Sequence, residues 1–240
     1  MYTEEQLNKF RDIISGSKRA VFFGGAGVST ESGIPDFRSQ DGLYRRKYAY
    51  PPEYILSATF FRTHTAEFFD FYRDKMVYPS ARPNAAHIKL AQWEREGRLA
   101  AVITQNIDGL HQKAGSKTVL ELHGSVWRNR GTRCRKSYPA DAVLSCAGIP
   151  KCGCGGIIKP DVVLYEESLD GNTLGKSVEY IKNADTLIVG GTSLNVYPAA
   201  GLIDFFSGKN LVVVNKGQTA RTISGALAID SPIAEFFSQV

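Results

Sequence analysis

Four short apolar runs, each followed by a polar or glycine-rich cluster, constrain the architecture more than any other feature of this chain. They are Arg19-Ala20-Val21-Phe22-Phe23, Leu99-Ala100-Ala101-Val102-Ile103-Thr104, Thr186-Leu187-Ile188-Val189-Gly190 and Leu211-Val212-Val213-Val214. None alternates apolar with polar residues, as a strand with one wet face would. Such strands are covered on both faces, which calls for a parallel sheet with helices on either side. Helical patterns are present to supply the cover. Thr3 and Gln6 form a capping box ahead of the stripe Leu7, Phe10, Ile13 and Ile14, and Asn84 caps a second helix that ends near Gly97. The expected fold is α/β, a Rossmann-like parallel sheet domain carrying a small inserted domain.

The insert has two parts. Residues 39–80 are rich in aromatics and charge, and Phe60, Phe61, Phe68, Phe69, Phe71 and Tyr72 read as a helical module with a large apolar surface. Residues 126–160 hold all four cysteines and many turn formers, as a zinc-ribbon-like module would. The sheet domain then comprises residues 1–38, 81–125 and 161–240.

With 43% hydrophobic and 22% charged residues, the composition is that of a soluble globular chain. No apolar stretch approaches the roughly 20 residues that a bilayer requires. The start, Met1-Tyr2-Thr3-Glu4-Glu5-Gln6, is too acidic for a signal peptide, so the expected compartment is the cytoplasm. The net charge of +5 is spread thinly, without a Lys/Arg block. An anionic small molecule suits it better than a nucleic acid or a membrane.

The ends of the apolar runs point to chemistry. After the first comes Gly24-Gly25-Ala26-Gly27-Val28-Ser29-Thr30, small residues that let backbone N–H groups approach a diphosphate. Thr30 stands where the third glycine of a dinucleotide fingerprint belongs, which weakens a dehydrogenase reading. Gly33-Ile34-Pro35 then leads into Asp36-Phe37-Arg38, an acid, an aromatic and a cation beside the expected nucleotide. Gln105-Asn106-Ile107-Asp108, Gly191-Thr192-Ser193 and Asn215 follow the other three runs. In open parallel sheets, ligands bind beyond these strand ends. Thr192 and Ser193 can bond phosphate or ribose, Asn215 a ribose or base, and Gln105, Asn106 and Asp108 an amide-bearing ring and its ribose. His123, followed by Gly124, titrates near neutrality and suits a general base, whereas His64, His87 and His111 read as structural. Cys134, Cys146, Cys152 and Cys154 are spaced C-x11-C-x5-C-x-C. Their clustering favours a structural zinc, although both pairs depart from the usual C-x2-C and only Cys146 remains to act as a fourth ligand.

These motifs, in this order, resemble the sirtuin (Sir2) family of NAD-dependent protein deacylases, along nearly the whole chain. Lys159-Pro160-Asp161-Val162-Val163 and Leu122-His123-Gly124 belong to the match. The resemblance implies NAD as the cofactor, with Gly25, Ala26, Thr30, Gly191, Thr192, Ser193 and Asn215 around its ADP-ribose. Phe37, Asn106, Ile107 and Asp108 would line the inner nicotinamide pocket, and Asp36, Arg38, Gln105 and His123 would also bind the cofactor. It implies that the acyl oxygen of an acyl-lysine attacks the nicotinamide ribose, that His123 is the general base, and that Asn106 and Gln105 organise ribose and water. The protein or peptide partner would add as a strand along Val162, Val163 and Leu164. Gly131 replaces the first of the family's four cysteines, and Phe69 and Tyr72 stand where members acting on acidic acyl groups carry Tyr and Arg. Acetyl is therefore expected over succinyl. The alternative sharing this pocket is an NAD-dependent protein ADP-ribosyltransferase, with a non-catalytic NAD sensor and a conventional dehydrogenase further off.

Overall fold

Nine strands form two sheets in the computed structural model, which describes residues 2–37, 49–217, 219 and 224–240. They are β1 (Ala20–Gly24), β2 (Leu99–Thr104), β3 (Val119–Glu121), β4 (Gly124–Gly131), β5 (Ser137–Pro139), β6 (Ile158–Val162), β7 (Thr186–Gly190), β8 (Asn210–Val214) and β9 (Leu227–Ile229). Six of them pair in the order β3-β2-β1-β7-β8-β9, every pair parallel. Counted within this sheet alone, that is the doubly wound order, which reverses direction between β1 and β7 and opens a crevice there.

The apolar runs are buried on both faces, and successive residues feed two separate cores. Phe22, Val102, Ile188 and Val212 point into one, with Leu7, Phe10 and Ile14 of the helix Glu4–Gly16, Leu90 and Trp93 of Ala85–Arg95, and Phe236 and Phe237 of Ile233–Ser238. Val21, Phe23, Ile103, Leu187 and Val213 point into the other, with Ile181 of the helix Gly171–Lys182 and Leu202 and Ile203 of the turn Ala199–Phe205. Each such side chain, withdrawn fully from water, contributes about 1.5–3 kcal/mol. The first helix starts as its sequence dictates: Gln6 N–H donates to Thr3 Oγ1 at 3.2 Å and Thr3 N–H to Gln6 Oε1 at 2.8 Å.

The second sheet, β5-β4-β6, is antiparallel. It shares one apolar core with the helices Pro52–Ile55, Ala58–Thr63 and Thr65–Lys75, in which Phe60, Phe61, Phe68, Phe69 and Tyr72 meet Val126, Val143, Ile158 and Val162. Arg73 ties the two parts further, donating from Nε to Val143 O at 2.9 Å and from its other end to Gly148 O. Strands β4 and β6 start or finish at the large sheet's crevice, where Gly124 pairs with Val162. No helix among the described residues is long and apolar enough to cross a membrane.

Candidate active site

A cavity of about 1050 Å³ occupies the crevice beyond the carboxyl ends of β1, β2, β7 and β8. Two glycine loops form its floor. Gly25 N–H donates to Gly190 O at 3.2 Å and Gly27 N–H to Gly191 O at 2.8 Å. A Cβ on Gly27 would stand 2.9 Å from Gly191 Cα, and one on Gly25 2.8 Å from Thr192 Cβ. Glycine is thus required at both positions by the packing of the β1 loop on the β7 loop, in addition to any approach of a ligand. Ala26 lines the cavity, and Thr30 Oγ1 donates back to Gly27 O at 3.1 Å, which closes the loop on itself.

Ser29 is the hub of the inner pocket. Its Oγ donates to Asp108 Oδ2 at 2.6 Å and accepts from Asn106 Nδ2 at 3.1 Å. Leu110 N–H donates to the other carboxylate oxygen of Asp108 at 2.8 Å. Burial raises the Asp108 pKa, and the hydrogen bonds from Ser29 and Leu110 oppose that rise. Trp127 Nε1 donates to the Asp108 backbone carbonyl at 2.7 Å and forms another part of the wall. Gln105 Nε2 donates to Thr192 Oγ1 at 3.1 Å, linking the end of β2 to the end of β7. Ile107, Asp36 and Phe37 line the same space, while Arg38 lies outside the described residues.

His123 stands between β3 and β4 on the cavity wall. Its Nδ1 lies 2.9 Å from Gln105 O. A carbonyl only accepts, so Nδ1 carries the proton and Nε2 keeps the lone pair. Burial lowers the His123 pKa, with the bond to Gln105 O acting the other way, so the ring is neutral and basic at pH 7. The His123 backbone carbonyl accepts from Val163 N–H at 3.0 Å, and Tyr165 N–H donates to Leu56 O at 2.9 Å. Residues 163–165 are thereby held along the cavity wall between His123 and the end of the helix Pro52–Ile55. Val162, Val163 and Leu164 all line it, as do Ser193 and Asn215. The Asn215 amide donates to Lys216 O and Gly217 O, both at 3.3 Å.

The structure therefore gathers every described residue singled out for the cofactor, the base and the peptide strand into one cavity. The sequence reading missed Ser29 and Trp127. Ser29 is one small residue among several in its loop, and its partners lie 77 and 79 residues away. Tyr72 lines the cavity, but Phe69 is fully buried in the small lobe's core beneath the Arg73 guanidinium, 5.3 Å from the ring centroid. His87 and His111 are buried beside each other in the large body, with ring centroids 4.7 Å apart, and His64 stacks on Phe60.

Away from the cavity, the sulfurs of Cys134, Cys152 and Cys154 lie within 4.8 Å of one another. Cys152 Sγ is 3.3 Å from each of the other two and accepts from Tyr138 OH at 2.9 Å. The Cys154 amide and the Tyr138 hydroxyl pull the Cys152 thiol down to about 6. Three converging soft donors, one of them readily ionised, fit zinc. Cys146, expected as a fourth ligand, does not join them. It lies just beyond the helix Asp141–Leu144, and its thiol donates to Ala147 O at 3.5 Å.

Comparison with known proteins agrees with this geometry. The sequence profile described as the Sir2 family matches residues 25–198. A Clostridium acetobutylicum protein named NAD-dependent protein deacetylase is 55% identical over 240 residues, covering 98% of each chain. A Cutibacterium acnes protein of the same name is 52% identical, covering 99% of this chain and 97% of its own. Among solved structures, a Sir2 bound to a p53 peptide and NAD+ superposes with a TM-score of 0.84 at 38% identity, covering 100% of this chain and 97% of that one. A Sir2 bound to acetylated peptide gives 0.84 at 37% identity, covering 97% and 96%.

Proposed function

The chain belongs to the Sir2 family, and from that premise we propose that it is an NAD-dependent protein lysine deacetylase. It transfers the acyl group of a modified lysine to ADP-ribose and releases nicotinamide. NAD is consumed in this reaction and is therefore a substrate. The observation that carries the reading is the neutral His123, its Nε2 lone pair free of the Gln105 bond, in one cavity with the Ser29–Asn106–Asp108 network.

Each residue has a task that its bonding suits. The glycine loops and Thr192, Ser193 and Asn215 hold the ADP-ribose across the crevice. Asp108, held by Ser29 and Leu110, accepts from the nicotinamide carboxamide, and Asn106 and Gln105 orient the ribose. The acyl oxygen of the lysine substrate attacks C1′ of that ribose as nicotinamide departs. His123 Nε2 then removes a proton from a ribose hydroxyl, which attacks the acyl carbon; the lysine amine leaves with a proton, and one water completes the collapse to O-acyl-ADP-ribose. Phe37 and Ile107, packed against the small lobe's core, exclude water from the reacting carbon. The peptide adds as a strand along Val162, Val163 and Leu164, a form of β-augmentation. The sheet domain, residues 1–38, 81–125 and 161–240, binds NAD. The small domain, 39–80 and 126–160, closes the acyl side, and a zinc ion held by Cys134, Cys152 and Cys154 would stiffen the cysteine turns without touching substrate. The four cysteines are unpaired, in keeping with work in the reducing cytoplasm.

The deciding experiment is mass spectrometry of an acetyl-lysine peptide incubated with the enzyme, with and without NAD, beside His123→Ala. NAD-dependent loss of acetyl with matching nicotinamide and O-acetyl-ADP-ribose, abolished in the variant, is expected. A mass gain of ADP-ribose on peptide or enzyme without loss of acetyl would instead identify an ADP-ribosyltransferase.

A further inference from the structure

The three thiols face a glycine. Cys134 comes from the turn after β4, and Cys152 and Cys154 from the turn closed by the bridge between Lys151 and Ile157. Gly131, the buried last residue of β4, completes the surround: a Cβ there would lie 3.0 Å from Cys134 Sγ and 3.5 Å from Cys152 Sγ. A side chain at this position would therefore point into the cluster, and none exists. The Gly131 amide donates to Lys136 O and its carbonyl accepts from Arg135 N–H, both at 2.9 Å. The neighbouring groups are engaged as well. Tyr138 OH is a hydrogen-bond donor to Cys152 Sγ, and Cys146 turns to Ala147 O. Cys134 and Cys154 are exposed, so solvent reaches the cluster.

Zinc in a structural site is almost always held by four ligands, whereas a site with three protein ligands keeps its fourth position for water or another small ligand. We propose that the cysteine turns form a three-thiolate zinc site whose fourth position, in front of Gly131, is open and takes an exogenous ligand, a water or a small nitrogen or sulfur donor. On binding, the three thiols give up their protons to solvent and no electron is transferred. The small lobe then carries an exchangeable metal accessible from solution, in place of a sealed structural one.

The test uses the full chain, reduced and anaerobic, with Co2+ in place of zinc. One Co2+ per chain is expected, with a thiolate charge-transfer band. Added imidazole should shift the ligand-field bands saturably while that band persists. Cys146→Ser should leave both the spectrum and the response intact, and Gly131→Cys should abolish the response by supplying the fourth ligand. Losing even an outer partner of a metal ligand costs about 10–100-fold in affinity. Zinc transfer from the wild type to a chromogenic chelator should accordingly be at least about 10-fold faster than from Gly131→Cys. Failure of the wild type to bind Co2+ or zinc overturns the proposal. So does a wild-type spectrum unmoved by imidazole, or a spectrum altered by Cys146→Ser, since each places the fourth ligand elsewhere. The wild-type imidazole titration decides the matter even if Gly131→Cys does not fold.

Discussion

Acidification should weaken this fold through a histidine that takes no part in the proposed chemistry. His87 sits fully buried at the third position of the helix Ala85–Arg95, its Nδ1 accepting from the Asn84 N–H at 3.3 Å and its Nε2 without a partner among the described residues. Burial pushes its pKa down from 6.5 to about 4. The sign follows from linkage. Between these values the unfolded chain takes up a proton that the folded chain refuses, so stability is complete above about pH 6.5 and is lost as pH falls towards about 4. The whole window corresponds to about 3 kcal/mol, and the part lost by about pH 5 is about 2 kcal/mol. His111, whose pKa is lowered by burial and then by its neighbour His87, adds to the loss in the same direction. The assay is urea unfolding of wild type and His87→Gln at about pH 7.5 and about pH 5, above the range where most carboxylates titrate. Gln at this position can still accept from the Asn84 N–H, as in an ordinary capping box. Any fixed packing cost in the variant cancels when its two pH values are subtracted. The variant should lose about 2 kcal/mol less than wild type between the two conditions. Equal losses would refute the argument, since His87 would then titrate alike in both states.

The proposed base makes its own pH prediction. Because burial lowers the His123 pKa, the acid limb of kcat/KM should have its midpoint below 6.5, and a midpoint above that value would remove His123 from the role. Ser29→Ala deletes the group joining Asn106 to Asp108. A hydrogen bond to a charged group contributes about 1.5–3 kcal/mol, so nicotinamide release at limiting NAD should slow about 10–100-fold, while unfolding by urea changes far less. Acetyl-lysine peptide should be processed much faster than its succinyl counterpart. Tyr72 occupies the cavity wall, and Lys75, the cation nearest it in sequence on that wall, is paired with Asp74 at 2.7 Å. Comparable rates on the two peptides, measured by mass spectrometry, would show that a free cation reaches the acyl group.

What the sequence determined by itself was local or compositional. Short unbroken apolar runs, rich in β-branched residues and ended by glycine or polar clusters, read as strands covered on both faces, so the parallel sheet and its strand-end cavity were legible from Phe22, Ile103, Ile188 and Val212 and the clusters after them. Caps with complementary partners three residues on, Thr3 with Gln6 and Asn84, marked two helix starts because their hydrogen bonds close within one turn. The three-residue edge strands β3 and β9 were not legible, since so few residues carry no periodicity and gain their pairing from β2 and β8. The helices Gly171–Lys182 and Ile233–Ser238 likewise emerged only with the structure that packs them. Tertiary structure alone decided that Ser29 meets both Asn106 and Asp108, that a carbonyl of Gln105 selects the His123 tautomer, and that Gly27 is demanded by Gly191. It also decided that three cysteines converge on the bare backbone of Gly131 while the fourth turns away. These contacts join residues far apart in the chain, and their geometry is set by the register of strands and the packing of loops, quantities that no local pattern of residues contains.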